Sequence, residues 1–402
     1  ISCSLVGSEM CIRDRYCMNI LVSTPSEIEF CNGQYYNNSM STFIPRYKRL
    51  GQHLICLNII KDSDKPMQNQ LDVENVEFVN VFKINSLKSL VFEHKKNAAI
   101  VEATMQQVDF CIVHLPSFVA EQVISCAQKY GKPCLRIVVG CSWDAHWNYG
   151  IRGKLIAPFR FWTTRRAIYR ADYTIYVTQR FLQKRYPTLG KSLGCSDVIL
   201  SDGSSDILRK RLDKIHKLRS ENGLLTLITL APVDVKYKGQ ECVIQAIARL
   251  KKKGLLFEYH LVGGGNPSYL KMLSKNLGVA ELVKFYGSVP HDDITSILDK
   301  ADIYIQPSKT EGLPRALVEA MSRACPALGS NIAGIPELLD KNCIFRTGNV
   351  NDICSLLTSF DFDKMEKCAR QNYIEAKNYE FSVLENRRNT FLDEFMNNVK
   401  RQ

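Results

Sequence analysis

Short runs of consecutive apolar residues recur along the chain, each followed by a stretch with helical spacing. MNILVS (18–23), HLICLNII (53–60), DFCIVHL (109–115), CLRIVVG (134–140) and DYTIYVT (172–178) are apolar without alternation, as strands buried on both faces are. Helical patterns fall between them, near 85–106, 119–130 and 153–170. Strands alternating with helices predict a parallel sheet covered on both sides. Residues 201–222, SDGSSDILRKRLDKIHKLRSEN, are polar and charged and interrupt the rhythm, which predicts a domain boundary. The alternation then resumes. Strands are expected at LLTLITL (224–230), FEYHLVGGG (257–265), VKFYGSV (283–289), ADIYIQPS (301–308) and CPALGS (325–330), with helices at 241–254, 292–301 and 315–324. A chain of 402 residues exceeds one ordinary core. The fold class is therefore α/β, with two Rossmann-like doubly wound domains, 18–205 and 206–380. A last helix within 381–402 is expected to pack back on the N-terminal domain. In such folds ligands bind beyond the carboxyl ends of the strands and between domains.

The segment QPSKTEGLPRALVEAM (306–321) breaks the apolar pattern with two carboxylates, Glu311 and Glu319. Gly312 allows close backbone approach, and Pro314 suits the first turn of a helix. The start of that helix points N–H groups and partial positive charge at the strand ends, a natural anion site. Glu319 lies more than a turn inside, where its two acceptor oxygens could take the two hydroxyls of a ribose. The structural alternatives are a capping box, Ser308-x-x-Glu311, and a solvated face for Glu319.

The longer segment ADIYIQPSKTEGLPRALVEAMSRACPALGSNIAGIPELL resembles the retaining glycosyltransferases of the GT-B fold, glycosyltransferase family 4. The shared features are a strand, Pro-Ser, E-x₇-E, a small-residue strand and a Gly-Ile-Pro-Glu-Leu turn. The resemblance implies two domains facing across a cleft and a nucleotide-diphosphate sugar as donor. It implies that Glu319 holds the donor ribose, that Glu311 lies by the donor sugar, and that the amides of Gly312 and Leu313 line the sugar and phosphate region. The family usually places an Arg, then Lys-Gly, after the first strand of this domain. Here LAPVDVKYKGQE keeps Lys238-Gly239, while Ala231, Pro232 and Val233 stand where the Arg is expected. Lys236 is a substitute that keeps the charge without bidentate contact. Gly264, in LVGGGNPSY, matches a glycine-rich turn near the donor.

The N-terminal half would then bind the acceptor. Its first strand is not followed by G-x-G-x-x-G, which counts against a nicotinamide enzyme. Asn32-Gly33 is either a loop above the cleft or an ordinary turn. VVGCSWDAHWNYGIRGKLIAPF (138–159) crowds Trp143, Asp144, His146 and Trp147 after a strand. With residues 176–198 it resembles a subgroup of bacterial transferases that build capsular and other surface polysaccharides. Asp144 and His146 become candidate acceptor-side catalytic groups and Trp143 an acceptor contact; a buried aromatic cluster with a satisfied His–Asp pair is the alternative.

Charge and cysteine content narrow the partners. The net charge of +12 favours anionic ones. Between Tyr149 and Arg170, six Lys/Arg mix with Phe159, Phe161, Trp162 and Tyr169, as in an interfacial helix on an anionic bilayer. A helix with one buried face fits as well. No nucleic-acid motif accompanies the charge. The 15 cysteines show no C-x-x-C pair, which fits reduced thiols of a cytoplasmic protein, peripheral on the inner membrane face. No metal or other cofactor is expected, because the two D-x-D strings, at 62–64 and 361–363, lie away from the strand ends. The leader SLVGSEMCIRDR resembles a translated sequencing adapter, so the natural chain is expected to begin at or near Met18. The expected activity is a retaining glycosyltransferase acting on a lipid-linked glycan acceptor. A catalytically silent binding protein and a sugar-nucleotide epimerase are the alternatives.

Overall fold

A computed structural model describes residues 18–401 except 67, 85–86, 149, 201–203, 205 and 222. The adapter-like leader, 1–17, lies outside the described residues, as does part of the proposed boundary at 201–205. The first sheet comprises β1 (Asn19–Cys31), β2 (Gln34–Tyr36), β3 (His53–Asp62), β4 (Val76–Asn80), β5 (Phe110–Leu115), β6 (Cys134–Val138), β7 (Tyr173–Tyr176) and β8 (Lys191–Gly194). Its order is β4-β3-β1-β5-β6-β7-β8, with β2 added to β1. The second comprises β9 (Leu225–Leu230), β10 (Phe257–Val262), β11 (Val283–Gly287), β12 (Ile303–Gln306), β13 (Ala327–Ser330) and β14 (Ile344–Phe345), in the order β11-β10-β9-β12-β13-β14. Every pairing except β1–β2 is parallel.

The apolar runs explain this. Ile20, Leu21 and Val22 in β1, and Ile112 and Val113 in β5, are fully buried because helices cover both faces of the sheet. In both sheets the chain starts centrally, winds one way, then reverses: at β1/β5 in the first and at β9/β12 in the second. A crevice opens where the loops after two such strands part, and that is where doubly wound folds bind ligands.

Two stretches differ from the sequence reading. β1 does not stop at Ser23. After a register shift between Ser23 and Glu27 it pairs again with β3 and turns back as β2. Asn32 (φ 48°) and Gly33 (φ 77°) are the two turn residues of that hairpin, both left-handed, as a two-residue hairpin turn demands. The polar stretch at 201–222 is largely a helix, Asp206–Glu221, rather than an irregular break. One of its three buried positions is an arginine: Arg211 donates to the carbonyls of Ala301 (2.5 Å), Leu298 (2.8 Å) and Arg323 (3.3 Å). An apolar-periodicity reading passes over a helix anchored in this way.

The last helix, Phe381–Val399, lies against the first sheet. Phe395 meets Phe110 and Tyr173 edge-on, both at 5.5 Å, and Arg388 donates to the Ser196 carbonyl at 2.5 Å. Phe381 N–H donates to Leu200 O at 3.0 Å, so the two crossings between domains run side by side.

Candidate active site

β9 ends at Leu230 and leads through a short 3₁₀ turn, Lys236–Lys238, into the helix Gln240–Lys251. β12 ends at Gln306 and leads to the helix Arg315–Ser322. Since β9 and β12 flank the reversal, their two loops face each other. They are stitched together by Lys309 N–H to Tyr237 O (2.7 Å) and Lys309 Nζ to Glu241 Oε1 (2.5 Å). Gly239 makes this approach possible. Its φ is +73°, and a Cβ there would lie 2.1 Å from the Pro307 carbonyl oxygen.

Glu311 is the hub. Its Oε1 accepts from Lys238 Nζ (2.7 Å), Ser308 Oγ (2.7 Å) and Gln306 Nε2 (3.1 Å). The pair is largely shielded, with side chains 10% exposed for Glu311 and 20% for Lys238. Removing one partner of such a pair leaves an uncompensated charge, a loss of about 3–5 kcal/mol when burial is complete. Tyr304 OH donates to Gln306 Oε1, and burial pushes its phenol up, helped by the charges of Glu311 and Glu319. The charges of both predicted glutamates therefore act on one buried tyrosine. The capping-box alternative fails: Ser308 gives its hydroxyl to Glu311, and the helix starts at Arg315 after Pro314 with no side-chain cap.

Gly312 brings the N-terminal domain against this hub. A Cβ there would lie 2.3 Å from the Val139 carbonyl oxygen. A cavity of about 280 Å³ opens beside it, lined by Thr24, Ser26, His114 and Asp197 on one side and Glu311, Leu313 and Arg315 on the other. His114, at the end of β5, has its Nε2 within 2.8 Å of Tyr47 OH, a hydrogen bond. Burial lowers its pKa to about 4, so the ring is neutral at physiological pH. Contacts flank the cavity on both sides. On one, Thr310 Oγ1 donates to the Asp144 carbonyl (3.2 Å) and Asn148 to Thr310 Oγ1. On the other, the Glu337 carboxylate accepts the N–H groups of Gln179 (2.7 Å), Arg180 (3.1 Å) and Phe181 (2.5 Å).

Not all the predicted residues meet. Lys238, Glu311, Gly312 and Leu313 converge. Lys236 turns to a neighbouring cavity of about 320 Å³, its ammonium 5.2 Å from the Tyr269 ring centre. Gly264 is in the turn after β10, where its carbonyl accepts Val233 N–H at 2.9 Å. Glu319 lines a separate cavity of about 620 Å³ between the helices Arg315–Ser322, His291–Lys300 and the start of Asp206–Glu221. Asp144 and His146 lie outside the cavity at Glu311. Asp144 pairs with Arg185 (3.2 Å) within its own domain, and its Oδ2 is buried without a partner. His146 Nδ1 meets its own helix carbonyl, Ser142 O, at 2.8 Å. Trp143 stacks on Trp147 at 5.2 Å and meets Phe161 edge-on. The aromatic-cluster alternative therefore describes these side chains, though without a direct His–Asp pair. Asn32 and Gly33 form the hairpin turn and do not line the cavity.

The groups that sequence reasoning passed over are His114, Arg315 and Glu337. His114 sits inside an apolar run, DFCIVHL, and reads as core until β5 is known to border the reversal. Glu337 belongs to GIPEL, whose spacing says nothing of a partner in the other domain.

Comparison with known proteins fits this geometry. Residues 214–373 match the family described as glycosyl transferases group 1. Protein CapJ of Staphylococcus aureus is 29% identical over 377 residues, 92% of this chain and 90% of that protein. The amylovoran biosynthesis glycosyltransferase AmsK of Erwinia amylovora is 37% identical over 125 residues, 29% of this chain and 30% of that protein. Among solved structures, the Anabaena protein HepE in complex with UDP superposes with a TM-score of 0.65 at 15% identity, covering 94% of this chain and 100% of that one, a likeness of fold.

Proposed function

We propose that the chain, whose residues 214–373 match glycosyl transferases group 1 and whose fold is GT-B, is a glycosyltransferase that moves a sugar from a nucleotide-diphosphate donor to a hydroxyl of a lipid-linked glycan in surface polysaccharide synthesis, with retention at the anomeric carbon. The observation that carries this reading is the Lys238–Glu311 pair at the β9/β12 reversal, facing Thr24, Ser26, His114 and the Arg46-paired Asp197 across the cavity. One of the three Lys238 N–H groups is committed to Glu311, which leaves two for phosphate oxygens. The open end of the helix Arg315–Ser322 adds partial positive charge. Together they stabilise the charge that builds on the leaving diphosphate, without a metal. Glu311, fixed by three donors, holds the donor sugar; Glu319, which lines a separate cavity, is assigned the ribose on the E-x₇-E resemblance alone. Amylovoran biosynthesis in the name of AmsK and UDP in HepE support the polysaccharide and nucleotide parts of the reading.

Calorimetric titration with UDP, GDP and ADP tests the donor site. One nucleotide should bind clearly better than the others, and Glu319→Ala should weaken it about tenfold or more, the loss of a charged hydrogen bond being about 1.5–3 kcal/mol. Binding of none, or binding indifferent to Glu319→Ala, would remove the donor assignment. Turnover of the matching nucleotide sugar should survive EDTA, and NMR of the first product should give the donor's anomeric configuration.

A further inference from the structure

The helix Gly150–Tyr169 exposes large apolar side chains of the kind that a helix packed on a sheet normally buries. Its buried positions are Gly153, Ala157, Arg160, Thr164 and Ile168, so four of the five are small or polar. Arg160, 2% exposed, is held there by Glu121 at 2.7 Å and lies 3.7 Å over the Phe118 ring. Most of its large apolar side chains point outward, Ile168 and Phe161 excepted. Ile151 is 81% exposed, Leu155 78%, and Phe159 and Trp162 each 56%. Their spacing of three and four residues lines them up as one ridge on the helix surface. A folded monomer has no reason to place such a ridge in water, and contiguous exposed apolar surface marks an interaction site.

The flanks name the partner. Arg152, Lys154, Arg165 and Arg166 are exposed on this helix, Arg170 follows it, and residues 150–170 contain no Asp or Glu. Lys154 and Arg166 lie 5.4 and 5.5 Å from the ring centres of Trp147 and Trp162. An apolar ridge between basic flanks, with tryptophan among them, complements an anionic bilayer: side chains enter the acyl boundary and cations meet headgroup phosphates. A protein partner would have to be both apolar and acidic along about 30 Å, the length of a twenty-residue helix. Among the described residues no helix is long and apolar enough to cross a membrane, so attachment of these residues would be to the surface.

We propose that the helix Gly150–Tyr169 docks flat on an anionic membrane through Ile151, Leu155, Phe159 and Trp162. Its position gives this a consequence for the reaction. The helix follows directly on the segment whose Asp144 carbonyl and Asn148 side chain touch Thr310, next to the Glu311 hub. Docking therefore brings one edge of the cleft to the headgroup layer, where the sugar of a lipid-linked acceptor would lie. This rests on the reading of the acceptor as lipid-linked.

The test is sedimentation of the full chain with vesicles of phosphatidylcholine alone and of equal parts phosphatidylcholine and phosphatidylglycerol. Binding is expected to the anionic vesicles, weakened by salt. Leu155→Glu should lower it about tenfold or more, and Arg166→Glu by a smaller factor. Both variants should keep wild-type nucleotide affinity and wild-type transfer to a detergent-free, water-soluble acceptor. This separates a failed docking surface from a failed donor site. Equal binding of wild type and Leu155→Glu to anionic vesicles would overturn the proposal, as would equal binding to neutral vesicles. So would a stable dimer in vesicle-free solution that Leu155→Glu dissociates, since the ridge would then be covered by a second copy.

Discussion

The two sheets reverse their strand order in the same way, yet the groups at the two reversals differ in kind. At β9/β12 the loops carry formal charges in close pairs, Lys238 with Glu311 and Lys309 with Glu241. At the ends of β1 and β5 the polar groups are neutral, and the charge lining that side of the cavity, Asp197, is paired with Arg46 at 3.1 Å. Asn58 Nδ2 donates to Thr24 Oγ1 at 2.8 Å, and Tyr47 OH sits 2.8 Å from His114, a ring that burial keeps unprotonated. One scaffold thus presents to the same cavity an ionic wall and, opposite it, a neutral wall, made of neutral groups and one lining carboxylate that is balanced by arginine. Fixed charge is useful where charge develops, as on a leaving diphosphate, and it acts strongly where water is excluded. A neutral wall suits a hydroxyl acceptor, which needs hydrogen bonds and no counter-ion.

If that division holds, charge removal on the ionic side should have the largest effect. Lys238→Ala is expected to lower kcat by about 10²–10³, as loss of one preorganised electrostatic group does. Nucleotide affinity should fall much less, because the charge it stabilises is greatest in the transition state. Steady-state kinetics beside nucleotide titration gives both numbers. A rise in KM with unchanged kcat would make Lys238 a uniform binding group and erase the contrast between the walls.

The neutral wall should show itself in pH dependence. His114 titrates near 4 in the folded protein, against about 6.5 in an unfolded chain. Between those values the unfolded state binds the extra proton. The neutral ring's contribution is therefore complete above about pH 6.5 and is lost progressively as pH falls towards 4, to a limit of about 3 kcal/mol. Denaturant unfolding across this range should show wild type losing more stability than His114→Gln. Parallel pH curves for the two would mean that the ring is not held neutral by burial.

The two walls were also unequally legible. The ionic one sits in loops, where E-x₇-E and Lys-Gly stand out against apolar strands, and the structure brings Lys238 and Glu311 to 2.7 Å. The strand–helix rhythm likewise yields the central strands of both sheets, because strands buried on both faces are apolar throughout. The neutral wall is built inside those strands. A histidine in DFCIVHL differs from its neighbours by one polar atom pair, and only the pairing β1–β5 reveals that it borders a crevice. Asp144 and His146 stand out in the sequence as polar residues after a strand, while their side-chain partners in the structure, Arg185 and the Ser142 carbonyl, are local. The edge strands β4 and β8, the helix anchored by Arg211 and the Glu337 contact all depend on partners distant in sequence.

Glu337 gives the smallest predicted effect and the sharpest test of how the walls are kept together. Its carboxylate belongs to the C-terminal domain and accepts three consecutive N–H groups of the N-terminal domain, Gln179 to Phe181. Hydrogen bonds to a charged group are individually worth about 1.5–3 kcal/mol when shielded. This carboxylate is half-buried, so water replaces much of that on opening. A net bias of about 1–1.5 kcal/mol towards the closed arrangement is the reasonable size, or roughly tenfold in the closed-to-open ratio. Glu337→Ala should therefore lower kcat/KM several-fold, with nucleotide affinity little changed because the donor groups lie in one domain. Its radius of gyration in solution scattering should rise, and saturating donor and acceptor together should restore the compact value. Glu337→Gln keeps an acceptor oxygen without the charge and should fall between the two. If Glu337→Ala scatters and turns over as wild type does, closure depends instead on the Asp144–Thr310 side, and Thr310→Val becomes the variant that separates the walls.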